Sequence, residues 1–287
     1  MKNLITYILL SFVVFLSCEG DLQDDVPPQL VIEGWIENEG YPVVILTQSV
    51  TVSEETQSYD SLQQYLVKWA RVSISDGDTT VVLTGKYDSN YSPSYIYTTS
   101  HLLGQVGKNY SLTVDYKDWH AEAETSIPEP VAIDSFSVKT SESDANRALL
   151  TAYFTDREET HDYYQFFTST NLTKVVYYST FAGSIDDESR TNPISVPIYQ
   201  AYYNNKGNGY SISFSKYDKV LVKLAHVDEQ SYLFWKDFEK ITALSRNQFF
   251  NATQSIHNNI RGALGCWCGY GSTEYIVNIA NELRKNK

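Results

Sequence analysis

The chain falls into stretches of distinct hydrophobic pattern. Residues 4–16 are apolar apart from Thr6 and Ser11. From residue 30 onward apolar and polar positions tend to alternate, the period of a half-buried strand. Residues 71–75 read Arg-Val-Ser-Ile-Ser, so Val72 and Ile74 share a face. Residues 110–116 place Tyr110, Leu112, Val114 and Tyr116 on one side. Further strands are expected at 30–36 and 42–46, with Asn38-Glu39-Gly40 as the turn between them. Asp76-Gly77-Asp78 is a turn leading into a returning strand at 80–84. A second strand set is expected at 133–139, 149–154, 163–170, 174–180, 210–214 and 220–226, with a last strand at 274–279. The polar stretches 53–64 and 181–197 read as surface loops.

One segment has helical period. Asp228 is placed as the N-cap of a helix over 229–245, and Phe234, Phe238, Ile241 and Leu244 form its apolar stripe. Lys236, Asp237, Glu239 and Lys240 cover much of the opposite side. Ile127-Pro128-Glu129-Pro130 is the strongest boundary, because two prolines disrupt pairing and favour an extended connection. The expected fold is mostly β, in two β domains. Residues 29–126 form an immunoglobulin- or transthyretin-like sandwich, and residues 133–287 form a second β domain carrying the helix. The 23 Tyr and 12 Phe support this reading, since aromatic residues favour strands.

The N-terminal run changes the picture of where the chain resides. Thirteen residues cannot span a hydrocarbon core that needs about 20. With Lys2 ahead of it, the run fits the apolar region of an export signal over residues 1–17. Phe15-Leu16-Ser17-Cys18 resembles a bacterial lipobox, in which the signal is cut before the Cys and the thiol is diacylated. Cys18 is therefore the expected lipid anchor. Residues 18–28 then form an acidic tether with Glu19, Asp21, Asp24, Asp25, Pro27 and Pro28. Acidic residues behind a lipid Cys resemble signals that send lipoproteins to the outer face of the outer membrane; a plain solvated linker is the other reading. Cleavage removes Lys2 alone among the charged residues, which takes the formal charge from −13 to −14. Such a body repels nucleic acid and anionic membrane surfaces.

Several segments together resemble a known family. They are residues 30–36, Thr125-Ser126-Ile127-Pro128-Glu129-Pro130 running into Ile133-Asp134-Ser135, Asp228 followed four residues later by Tyr232, and Asn259-Ile260-Arg261-Gly262-Ala263-Leu264-Gly265. In this order, behind a lipobox, they resemble the bacterial surface lipoprotein family catalogued as domain-of-unknown-function family 4249. The resemblance covers nearly the whole mature chain. It implies no established catalytic activity, and a TonB-dependent outer-membrane receptor as partner. Cys266-Trp267-Cys268 departs from the family pattern.

Candidate chemistry is sparse. Cys266 and Cys268 admit three readings: two thiols packed in a core, a disulfide in the oxidising conditions outside the cytoplasm, or metal ligands with His257 as the nearest further donor. The five His show no shared spacing, and no nucleophile elbow or phosphate loop is present. Gly262, Gly265, Gly269 and Gly271 fit close backbone packing better than a phosphate cradle. Glu158-Glu159 and Asp186-Asp187 read as solvated charges, and the turn Asp156-Arg157-Glu158-Glu159-Thr160 as a weak calcium candidate at most. Tyr87, Tyr91, Tyr95 and Tyr97 crowd one segment, and Tyr91, Tyr95 and Tyr97 are the candidate partner contact. No cofactor or resident metal is expected.

The functional expectation is a non-enzymatic, lipid-anchored protein of the outer membrane, facing the cell exterior and serving a TonB-dependent receptor in uptake, with its ligand left open. The alternatives are an envelope scaffold or adhesin, and a surface hydrolase.

Overall fold

The computed structural model describes residues 27–49, 63–91, 93–157, 160–188, 190–204, 207–244 and 256–285. The signal, Cys18, the tether as far as residue 26, most of the 53–64 loop and Glu158-Glu159 lie outside these residues. Nineteen strands and two α-helices are described. The N-terminal set is β1 (Leu30–Glu37), β2 (Val43–Gln48), β3 (Arg71–Ser75), β4 (Thr80–Val82), β5 (Thr84–Tyr87), β6 (Tyr95–Thr98), β7 (Asn109–Tyr116) and β8 (Trp119–Ser126). The second set is β9 (Ser135–Thr140), β10 (Arg147–Phe154), β11 (Tyr163–Ser169), β12 (Tyr178–Asp186), β13 (Ile194–Ile198), β14 (Gln200–Asn204), β15 (Gly207–Ser211), β16 (Phe214–Ser215) and β17 (Lys219–Val227). Helix α1 (Glu229–Leu244), β18 (Ile260–Arg261), β19 (Leu264–Asn278) and helix α2 (Ile279–Lys285) complete the chain. No described helix is long and apolar enough to cross a membrane.

An eight-stranded sheet runs through both halves, in the order β12-β11-β17-β19-β1-β2-β6-β5. Strand β19 joins them. Leu264 to Tyr270 pair in parallel with β1, and Gly271 to Asn278 pair antiparallel with β17. On the inner face of the first half lies the five-stranded sheet β18-β8-β7-β3-β4. On the second half lies a smaller sheet in which β10 pairs with β9, β13 and β16.

Two cores result. The first holds Ile32, Ile36, Val72, Tyr110, Leu112 and Val114, and it also takes in Ile260, Ala263 and Trp267 from the far end of the chain. The second holds Leu150, Phe154, Tyr164, Phe166, Val222 and Val277. Each such aliphatic or aromatic side chain stabilises its sandwich by about 1.5–3 kcal/mol when fully buried. The boundary near residue 130 thus separates the cores for the first pass of the chain only. Residues 260–270 return to the first sandwich, so the span 133–287 is not one self-contained domain.

The Pro-flanked connection is pinned rather than loose. It crosses β19 where Gly269 and Gly271 leave room, and a Cβ at those positions would run into the carbonyls of Ser126 and Pro128. Thr273 Oγ1 donates to the Val131 carbonyl at 2.8 Å, and the Ile133 N–H donates to Tyr275 Oη at 2.9 Å. These glycines make the close backbone packing their sequence suggested, and so let a 15-residue strand pass beneath the connection.

Other expectations need correction. The stretch 181–197 is not one loop: it carries most of β12 and the first four residues of β13. In β13, Ile194, Val196 and Ile198 are buried while Ser195 and Pro197 face outward. Proline is tolerated there because β13 is an edge strand. Residues 174–177 are not strand, and the chain from Ile279 turns into α2 rather than ending a strand.

Candidate functional site

The outer face of the long sheet is covered in part. Helix α1 lies across β11, β12 and β19, capped by Asp228, whose Oδ1 accepts the Ser231 N–H at 2.7 Å. Its most buried residues are Ser231 and Tyr232. Trp235 packs on Phe167 and donates its indole N–H to Tyr270 Oη at 3.0 Å. Phe234 packs beside Trp235 against the same cluster, and Phe238 and Ile241 are half-buried. Glu239 accepts the Ala182 N–H and so ties α1 to β12. Cys266 and Cys268 lie in the cluster that α1 covers, opposite Glu33 and Trp35 of β1, and they are joined by a disulfide.

Beyond the helix the outer face holds an open groove of about 350 Å³. Strand β1 supplies Val31 and Glu33, β2 supplies Ile45, Thr47 and Gln48, and Ser49, Tyr65 and Pro93 complete the described wall. Alternation puts Val31, Glu33, Trp35 and Glu37 on this face, because Ile32 and Ile36 are taken by the core. The volume is at the lower end of ligand-sized clefts. Ser49 Oγ already accepts the Gln29 N–H at 2.9 Å, and the described lining contains no His or Cys.

Glu33 gives the groove its chemistry. Glu33 is exposed on this face of the sheet, and lost hydration among its neighbours pushes its carboxyl above the usual carboxylate range. Beside it, Trp35 meets Tyr91 at 5.9 Å between ring centroids. Burial first, then the charges of Asp88 and Glu37, raise the Tyr91 hydroxyl. Further along, Lys223 is enclosed on three sides: its Nζ lies 2.8 Å from Glu37 Oε2, 3.0 Å from Glu274 Oε1 and 4.3 Å above the Tyr177 ring. Burial works against its charge, but the two carboxylates outweigh it and hold the ammonium above its usual range. Lys223 ties β1, β17 and β19 together across the join.

The structure separates the tyrosines grouped by sequence. Tyr91 stands half-buried beside the groove. Tyr95 and Tyr97 do not form a contact surface: both point inward on β6. Tyr95 Oη donates to the Lys68 carbonyl at 2.8 Å and Tyr97 Oη to that of Val67 at 2.9 Å. They pin the segment leading into β3. The reason is the period of two: Tyr95 and Tyr97 share the inner face of β6, while Ile96 between them faces outward, onto Val43 and Ile45. Tyr87 is the exposed member of the group.

Sequence reasoning passed over Glu33 and Lys223. Only the pattern of β1 could have flagged Glu33, as a carboxylate inside an otherwise apolar strand.

No curated protein matches the chain. A family profile described as a domain of unknown function, DUF4249, matches residues 18–276, a span that takes in both sandwiches, the groove, α1 and nearly all of β19. The chain belongs to the DUF4249 family.

Proposed function

We propose that the protein is a lipoprotein of the outer membrane, anchored through Cys18 with its body facing the cell exterior, and that it is a non-enzymatic binding partner of a TonB-dependent receptor in uptake. The groove carries this reading. It pairs an apolar wall of Val31, Ile45 and Pro93 with one carboxyl near neutrality, and aromatic rings of Trp35 and Tyr91 flank it. That combination of apolar area, aromatic anchors and a few polar groups suits recognition of a chain segment. Glu33 sets a preference for a basic or hydrogen-bond-donating group on the partner. The lipobox before Cys18 supplies the anchor, and a dually acylated thiol holds a protein stably at a bilayer.

The test is affinity capture of the full chain from membranes in mild detergent. A β-barrel receptor should co-purify, and replacing Tyr91 and Glu33 together should weaken its recovery without lowering the unfolding temperature. Cys18→Ser should remove acyl label and free the body from the membrane fraction. Equal acyl labelling of wild type and Cys18→Ser, or capture that brings down no outer-membrane channel, would end the respective halves of the proposal.

A further inference from the structure

The first sandwich holds a tryptophan out in water. Trp69 is 87 % exposed, the most exposed large apolar side chain among the described residues. Yet the segment that carries it is fixed. Tyr97 Oη accepts the Ala70 N–H at 3.0 Å and donates to the Val67 carbonyl at 2.9 Å, and Tyr95 Oη donates to the Lys68 carbonyl at 2.8 Å. Two buried tyrosines thus hold the peptide groups on both sides of Trp69, so its exposure belongs to the fold. Its neighbours are aromatic as well. Arg71 pairs with Asp115 of β7, which sets Trp69 and Ala70 beside the turn between β7 and β8. At that turn Tyr116 and Trp119 meet at 5.8 Å between ring centroids, half-buried against the first core. Lys117 Nζ lies 5.1 Å above the Tyr116 ring.

The chain enters the sandwich at the same end. Leu30, the first residue of β1, pairs with Gln48; Leu66 bridges to the adjacent Thr47, and the Val67 N–H donates to the Leu46 carbonyl at 2.9 Å. On the facing sheet, Gly262 packs on the His120 carbonyl at the start of β8, two residues before Leu264 pairs with Val31. The start of β1, the crossing at 67–70 and the β7–β8 turn therefore share one end of the sandwich. Twelve residues separate Cys18 from Leu30, a reach of at most about 40 Å when fully extended. Charge agrees with a bilayer at this end. The whole chain carries −13, but here Lys68, Arg71 and Lys117 offset Asp115 and Asp118, and Arg261 pairs with Glu122.

We propose that Trp69, with Tyr116 and Trp119 beside it, docks the body onto the bilayer that holds its anchor, seating the ring among zwitterionic lipid headgroups. The inference rests on the lipid anchor at Cys18 argued above. Tryptophan and tyrosine suit the membrane–water interface because each joins an apolar ring to a polar tip. Lys68 and Lys117 flank the rings and can reach lipid phosphates with their long stems. The short tether keeps the local lipid concentration high, so a shallow contact suffices. Docking then fixes which end of the body faces the bilayer.

The test uses the chain from Cys18 onward, which contains every described residue, coupled to phosphatidylcholine vesicles that carry a small share of maleimide-headgroup lipid. Cys266 and Cys268 are joined, so of the three Cys only Cys18 offers a free thiol. Chemical coupling sets the same tether whether or not the cell acylates that residue. Tryptophan emission should move to shorter wavelength, and phosphatidylcholine brominated on its acyl chains should quench it. Trp69→Ser should lose the shift and most of the quenching, with the unfolding temperature unchanged. Tyr217→Ser, at another open position but on the second half, should change neither. Absence of shift and quenching in the wild type, or quenching that survives in Trp69→Ser, would overturn the docking. So would Trp69→Ser protein that keeps its lipid contact but no longer captures the receptor, which would assign the ring to a protein surface. Acyl labelling of Cys18 in cells reads the anchor separately, so failure of the anchor and failure of the docking are told apart.

Discussion

Trp267 gives the sharpest test of the shared strand. It lies far beyond the sequence boundary, yet its indole is fully buried in the first sandwich. The ring rests on Gly34, where a Cβ would come within 2.8 Å of Trp267 Cε3. Its Nε1–H donates to the Tyr110 carbonyl at 2.9 Å. Trp267→Ala removes the ring and leaves a cavity, a change that costs about 3–5 kcal/mol in well-packed cores. The Tyr110 carbonyl also loses a donor, worth about 1 kcal/mol. Gly34 has no side chain with which to fill the space, which argues for the upper half of the range. Against a typical total stability of about 5–15 kcal/mol, a loss of about 4 leaves the first sandwich marginal.

Amide hydrogen exchange read strand by strand, together with urea unfolding, measures this loss. At about 1.4 kcal/mol per factor of ten, protection in β3 and β7 should fall about 1,000-fold. Ile276→Ala, on the same strand but 65 % exposed, should change stability by no more than about 0.5 kcal/mol. Trp267→Phe keeps most of the ring but deletes the donor, so it should cost about 1–3 kcal/mol. If Trp267→Ala costs less than 1 kcal/mol, or loosens β9, β10 and β11 while leaving β3 and β7 untouched, β19 does not belong to the first core and the reasoning fails.

Glu33 makes stability depend on pH. Its folded carboxyl is raised, so the folded state binds the proton more tightly than the unfolded chain. The resulting stabilisation is complete below about pH 4.5 and is lost as pH rises through about 7. Glu33→Gln should flatten that part of a melting temperature–pH profile; superimposable profiles for the two proteins would show that the carboxyl is not perturbed. Lys223→Met leaves Glu37 and Glu274 facing each other without their cation. Because both carboxylates retain some water, we expect a loss of about 2–3 kcal/mol, short of the full cost of breaking a buried pair. Adding Glu37→Gln and Glu274→Gln should recover part of it, and failure to recover any would show that the loss comes from packing.

The sequence resolved those elements whose structure is set within a few residues. Alternation at Val72 and Ile74, and at Tyr110, Leu112 and Val114, is a local pattern and became β3 and β7 with those faces buried. Asp228 caps α1 as its position suggested. The tie between Glu239 and Ala182, on an edge strand 57 residues away, was not legible, because no local pattern encodes it. In β13 the local pattern was present but outvoted by the polar stretch 181–197 in which most of it lies, and Pro197 is harmless because the strand sits at a sheet edge.

The deepest ambiguity lies in residues 264–278. Glycines at 262, 265, 269 and 271 suggested close backbone packing, but nothing local says what packs there. What packs at 269 and 271 is the Pro-flanked connection some 140 residues earlier, whose carbonyls of Ser126 and Pro128 occupy the space that side chains there would need. The two least strand-like segments of the chain therefore explain each other. Prolines deny the connection a place within a sheet, glycines let a strand pass beneath it, and the strand so admitted joins two cores into one sheet. The candidate sites follow the same logic. Glu33 meets its groove wall only once β1 and β2 pair, and Trp69 meets the turn that holds Tyr116 and Trp119 only once β3 and β7 do. No spacing along the chain encodes either meeting, so both sites become visible only through strand register.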